Sequence, residues 1–187
     1  MRLNDPSVTT FFFEGNEYSV DLAFDLVLDA FDALRTSQLT DSEKAGICLD
    51  LLIGEGLYSE NVAIGLWNAL HDSLIKVEQK PFVEYDYYGE PLKVKEEEKL
   101  LDLDKDAEAI YASFVQAYNI DLIDQQGMLS WSKFRALLHN LPSETPLKRI
   151  MQIRAWKPGE GDSAEFKKEM SDLQRYYALD EEEDGND

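Results

Sequence analysis

Ala23-Phe24-Asp25-Leu26-Val27-Leu28-Asp29-Ala30-Phe31-Asp32-Ala33-Leu34-Arg35 sets the reading of the whole chain. Phe24, Val27, Leu28, Phe31 and Leu34 recur at helical spacing while Asp25, Asp29 and Asp32 fall on another face. That is an amphipathic helix whose apolar stripe must be covered by something else. Just upstream, residues 9–20 read Thr-Thr-Phe-Phe-Phe-Glu-Gly-Asn-Glu-Tyr-Ser-Val. Aromatic and β-branched residues flank Gly15-Asn16, a pair suited to positive φ in a tight turn, so a β-hairpin is expected there. A lone hairpin is marginal in water, and Phe11, Phe13, Tyr18 or Val20 must therefore pack on a helix.

Downstream the helical pattern repeats. Thr40 and Glu43 have capping-box spacing, and the helix they open should stop at Gly54 or Gly56. A third helix starts near Ser59 with Ala63, Leu66, Trp67, Leu70 and Leu74 on one stripe and ends near Val77. Such short connections imply antiparallel neighbours. Residues 78–104 break the pattern with Pro81, Gly89 and Pro91, the aromatics Tyr85, Tyr87 and Tyr88, and the run Lys95-Glu96-Glu97-Glu98-Lys99. They read as an acidic hinge or long loop with a short extended piece at 82–85.

Helical spacing returns from Lys105 to Tyr118, where Ile110, Phe114 and Tyr118 align. Ser130 then caps a helix whose Trp131, Phe134, Leu138 and Leu141 share a face and which Pro142 ends. Ser143 opens the next, through Ala155, with Leu147, Ile150 and Met151 inward. Asp162 and Glu165 again have capping-box spacing before a last helix marked by Phe166, Met170, Leu173 and Tyr177. The expected fold is mainly α, a helical bundle with a short N-terminal β-hairpin. It is organised as a hairpin plus helices in 1–77, the hinge in 78–104, a C-terminal helical block in 105–179, and an acidic tail in 180–187. The tail is expected to be disordered, because no apolar residue follows Leu179.

Charge narrows the function. The 187 residues carry 18 Lys and Arg against 38 Asp and Glu, a formal charge of −20. A surface this acidic repels DNA and anionic lipid, so neither nucleic acid nor a membrane is an expected partner. The acidity is uneven: residues 109–179 hold 9 basic and 8 acidic side chains, whereas 1–77 hold 4 and 13. No apolar run approaches the roughly 20 residues of a membrane span, and residues 1–16 lack a signal-peptide pattern, which points to a cytoplasmic protein. With one cysteine and two histidines, a disulfide is excluded within the chain and a structural zinc site nearly so.

No constellation reads as an active site, and no cofactor or metal is expected. Residues 121–130, Asp-Leu-Ile-Asp-Gln-Gln-Gly-Met-Leu-Ser, imitate the centre of an EF-hand loop. Aligning Gly127 with that loop's glycine puts Leu122 and Lys133 where the essential carboxylates belong, so a plain turn with Leu129 in the core is the better reading. The row Asp25, Asp29, Asp32 reads as a solvated helix face. His71 and His139 sit at helix ends without an activated nucleophile, and Cys48 lies within an apolar stripe. Lys133, Arg135, Lys148, Arg149, Arg154 and Lys157 are either a patch for an acidic surface or ordinary scatter. Tyr85, Tyr87 and Tyr88 are either a binding edge or a local cap on the core.

One stretch is more specific. Ala117-Tyr118-x-Ile120-Asp121-Leu122, then Leu129-x-Trp131-x-x-Phe134-x-x-Leu137-Leu138-x-x-Leu141-Pro142-x-x-Thr145 and Ile150-x-x-Ile153-Arg154, resembles the phage gene-product-fifteen family. Its members are small acidic proteins encoded in the tail modules of long-tailed phages and prophages of Gram-positive bacteria, and the similarity extends to about Tyr177. The resemblance implies a non-enzymatic tail assembly chaperone in the host bacterial cytoplasm, with the tape-measure protein and the tail-tube protein as partners. Apolar edges around Trp131, Phe134 and the tyrosines would meet a client helix, with Arg135, Lys148, Arg149 and Arg154 as accompanying cations. An internal place for Trp131 and Phe134 is the somewhat stronger reading of the two, and self-association stays open. The alternatives are a structural virion connector and an acidic DNA mimic, the latter disfavoured by the near-neutral 109–179 block.

Overall fold

The computed structural model describes residues 6–76 and 99–179. The 82–85 piece, Tyr85, Tyr87, Tyr88 and the acidic tail lie outside the described residues. The chain is mainly helical with a two-stranded antiparallel hairpin at its start, as expected. In order come β1 (Thr10–Phe13), β2 (Asn16–Ser19), α1 (Phe24–Arg35), α2 (Asp41–Leu52), α3 (Ala63–Leu70), α4 (Ala107–Tyr118), α5 (Trp131–His139), α6 (Pro146–Ala155) and α7 (Ala164–Tyr176). A 3-10 turn, Glu60–Val62, leads into α3, and a π turn, His71–Ile75, leads out of it.

Two compact units divide the described residues: 6–76 with 123–139, and 99–122 with 140–179. The expected 105–179 block is therefore split, and α5 belongs with the N-terminal helices. Aromatic packing explains why. Phe24 of α1 stacks on Phe134 of α5 at 4.9 Å between centroids, and Phe31 meets the Trp131 indole edge-on at 5.5 Å. Such pairs add about 0.5–1.5 kcal/mol beyond the apolar area they bury. The approach to α5 is pinned by backbone bonds: Phe24 N–H donates to the Leu129 carbonyl at 2.9 Å and Trp131 N–H to the Leu22 carbonyl at 2.7 Å. The first of these satisfies a donor that the start of α1 would otherwise leave bare.

The hairpin pairs Phe11 with Tyr18 and Phe13 with Asn16. Its turn is Glu14-Gly15, not Gly15-Asn16, with φ of 47° and 82°. This pair of positive φ values gives the reversal whose twist suits a two-residue hairpin, and Asn16 is released to the second strand. Tyr18 and Val20 are buried, and the Phe13 ring lies against α3, where a Cβ on Gly65 would be 3.4 Å from it.

The α2 capping box forms as expected: Glu43 N–H donates to Thr40 Oγ1 at 3.3 Å and Thr40 N–H to Glu43 Oε2 at 2.8 Å. At the end of α3 the expected stripe slips. Lys76 N–H donates to the His71 carbonyl, an i to i+5 bond that widens the last turn by one residue. Ile75 consequently takes the buried place expected of Leu74, which is only half-buried.

In the second unit, Ile110, Phe114, Leu122, Leu141 and Leu147 are buried. α5 ends at His139, so Leu141 does not share its face but joins this second core. Ser143 does not open α6; Pro146 occupies its first turn and excludes the preceding residue from helical dihedrals, so Thr145 becomes the N-cap. Ser163, not Asp162, caps α7 by accepting from Phe166 N–H, while Asp162 accepts from Gly159 N–H. No residue of α7 is fully buried. Its attachment is partly polar: Gln174 Nε2 donates to the Ile153, Arg154 and Trp156 carbonyls at 3.0, 3.2 and 2.8 Å, and Phe166 meets the Trp156 ring edge-on at 5.9 Å.

Candidate functional site

Two of the residues expected at an interaction surface are core. Trp131 and Phe134 are 5% and 2% exposed, which selects the internal reading of both. The Trp131 indole N–H donates to the Ile75 carbonyl at 3.1 Å, and Arg135 Nη1 donates to the same oxygen at 3.1 Å while the guanidinium lies 5.6 Å from the Trp131 ring centroid. Spaced four apart on α5, the two side chains cap the carbonyl end of the π turn, where a cation is favoured. Burial pushes the Arg135 guanidinium below its ordinary pKa.

Arg154 is likewise taken up inside its own unit. Its side chain is 9% exposed and grips Asp106 with two bonds of 2.6 and 2.7 Å. It also donates to the Leu100 and Tyr177 carbonyls at 2.9 and 2.7 Å. Lys148 and Arg149 lie on α6, Lys148 half-buried and Arg149 exposed beside Glu144, whose carboxyl is held below the usual range chiefly by the Ser143 hydroxyl. Lys133 and Lys157 are exposed. Arg135 and Arg154 are thus not part of an open cationic patch.

The EF-hand-like loop serves as a structural tie. Gly127, at φ 69°, donates its N–H to Asp25 Oδ1 at 2.9 Å, and Leu129 is buried. Asp121 accepts from the Tyr111 hydroxyl at 2.9 Å. Among the described residues no three His, Cys, Asp or Glu side chains gather as metal ligands would. Cys48 is buried, its Sγ 3.4 Å from the Ala30 carbonyl, and burial pushes the thiol up to about 11. No helix among the described residues is long and apolar enough to cross a membrane.

A different surface has the make-up of a docking site. Between α2 and the segment leading into α3 lies a groove of about 500 Å³. Leu39, Gly46, Ile47 and Ala63 give it an apolar floor, and Glu43, Asp50 and Glu60 line it with no Lys or Arg among the lining residues. Ile47 is 38% exposed, turned away from the buried Cys48, Leu49 and Leu52. Tyr58 forms one wall, its single hydroxyl hydrogen shared between the Gly46 carbonyl at 2.8 Å and Asp50 Oδ1 at 2.7 Å. Burial, then the Asp50 carboxylate, raises the Tyr58 pKa, so the phenol stays neutral. Glu43 is shifted the other way, below its usual value, by the Thr40 backbone N–H, and keeps its charge at the rim.

The sequence carried one unread sign of this groove. Gly46 sits mid-helix, where glycine costs about 1 kcal/mol relative to alanine, a cost that marks a place where a side chain is unwanted. Elsewhere, Val8 and Met128 are exposed around a hollow of about 540 Å³ beside the hairpin exit, and Phe166 and Tyr176 are exposed on α7.

In comparison with known proteins, the family described as Bacteriophage Gp15 protein matches residues 3–179. No curated protein and no solved structure matches the chain.

Proposed function

The chain belongs to the Bacteriophage Gp15 protein family, and we propose that it serves there as a non-enzymatic tail assembly chaperone. In this reading it acts in the host bacterial cytoplasm, binds the tape-measure protein and helps to recruit tail-tube subunits. The observation that carries the reading is the apolar-floored groove on α2 of a chain with a net charge of −20. A long helical client aggregates through its uncovered apolar stripes. A groove between helices covers part of such a stripe by the helix-in-groove mode, and the acidity keeps the complex dispersed.

The test is co-expression with the tape-measure protein of the same genome and affinity capture in about 0.3 M salt, which screens surface charge. The expected result is a tape-measure protein that co-purifies and gains solubility. Failure on both counts overturns the proposal, as does finding the chain in stoichiometric amounts in purified virions.

A further inference from the structure

We infer that the groove lined by Gly46, Ile47 and Tyr58 docks a basic amphipathic helix of a partner protein, one large apolar side chain seated over Gly46 and Lys or Arg on the flanks. The inference rests on the assembly reading in one respect, that the client is helical. Its own support is local. The ridge Ser42, Glu43, Gly46, Ile47, Asp50 runs along α2 at helical spacing, and the missing Cβ of Gly46 opens a notch in it. A Cβ built there would stand 3.7 Å from the Tyr58 hydroxyl, ordinary van der Waals contact, so packing does not require glycine at this position.

Charge complementarity selects the occupant. Glu43, Asp50 and Glu60 line the groove without a basic residue among them, and Glu55 is close enough to act on the Tyr58 hydroxyl. An acidic or neutral helix would place its flanks against these carboxylates uncompensated, whereas a helix with Lys or Arg three or four residues from its apolar anchor meets them. The hollow on α7 is also net acidic, but there Lys168 lies among Glu165, Glu169 and Asp172 and partly compensates them, which no basic residue does in the α2 groove.

The probe is a fluorescein-labelled 18-residue helical peptide with a leucine ridge flanked by lysines, titrated into the full chain in about 0.3 M salt. A second peptide carries glutamate in place of each lysine. The lysine peptide is expected to bind at least about tenfold more tightly than the glutamate peptide. Its amide perturbations in a nitrogen-proton correlation spectrum should centre on 42–50 and 58–63. Gly46→Leu fills the notch and should weaken the lysine peptide by about tenfold. Gly46→Ala raises Tm through helix propensity while still weakening binding, so lost binding is separated from lost folding. Glu60→Gln should weaken the lysine peptide and, by relieving like-charge repulsion, tighten the glutamate peptide.

Equal affinity of wild type and Gly46→Leu, or perturbations centred elsewhere, overturns the inference. So does a concentration-dependent dimer that Gly46→Leu abolishes, since the occupant is then a second copy of the chain. Undiminished capture of the tape-measure protein by Gly46→Leu removes the groove and leaves the chaperone proposal standing. Peptide binding at the groove without tape-measure capture does the reverse.

Discussion

Trp131 donates its indole N–H to the carbonyl of Ile75, joining the first residue of α5 to the last residue of a π turn 56 positions earlier. Arg135 meets the same oxygen, so two side chains of one helix close the end of another. Trp131→Phe keeps the ring against Phe31 but removes the donor, and should cost about 1–2 kcal/mol in urea unfolding. Adding Arg135→Met should cost more than the two single changes combined, because only then does the carbonyl lose both donors.

Arg154 holds Asp106 and two carbonyls from a nearly buried place. Arg154→Ala strands the Asp106 carboxylate and should destabilise the protein by about 3–5 kcal/mol. Arg154→Lys keeps the charge but not the fork that reaches several acceptors, and should recover only part of the loss of Tm.

Glu14 occupies the left-handed region at φ 47°. Glu14→Asn supplies a residue that tolerates this conformation at the first position of the turn, and should raise stability by about 0.5 kcal/mol in thermal or denaturant unfolding.

Acid sensitivity follows from two carboxyls. The Lys105 backbone N–H is the chief cause of a lowered pKa at Asp102, and the Thr40 N–H does the same for Glu43. Folded values below the unfolded ones mean that each carboxylate stabilises the fold above its ordinary value, 3.8 and 4.5, and that this support disappears as pH falls through the folded value. Asp102→Asn and Glu43→Gln should each flatten the fall of Tm below these values, and leave the slope at neutral pH unchanged.

Cys48 should resist a thiol-specific reagent at pH 8 until denaturant opens the core, since burial holds its thiol pKa at about 11 and leaves little thiolate. Rapid labelling of the folded protein would contradict its place beneath α1.

What the sequence disclosed was local chemistry. Thr40 and Glu43 form their box because both partners lie within four residues. The choice between adjacent candidates was decided by backbone geometry that composition does not carry: the hairpin turn moved one residue, to Glu14-Gly15, and Ile75 displaced Leu74 through one i to i+5 bond. The docking of α5 on α1 lay furthest out of reach. Phe24 and Phe134 have apolar spacing that suits any core, and nothing in either stretch names the other across more than a hundred residues. The groove was hidden for a related reason, since Gly46 and Ile47 look ordinary until Tyr58 and Glu60 are brought beside them.

The Gln174 amide reaches main-chain oxygens alone, two on the last turn of α6 and one on Trp156 just beyond it. Every residue type presents such an oxygen, so this latch is indifferent to the identities at its far side. These three bonds place no demand on the side chain at Ile153, while a single change at Gln174 removes all three at once.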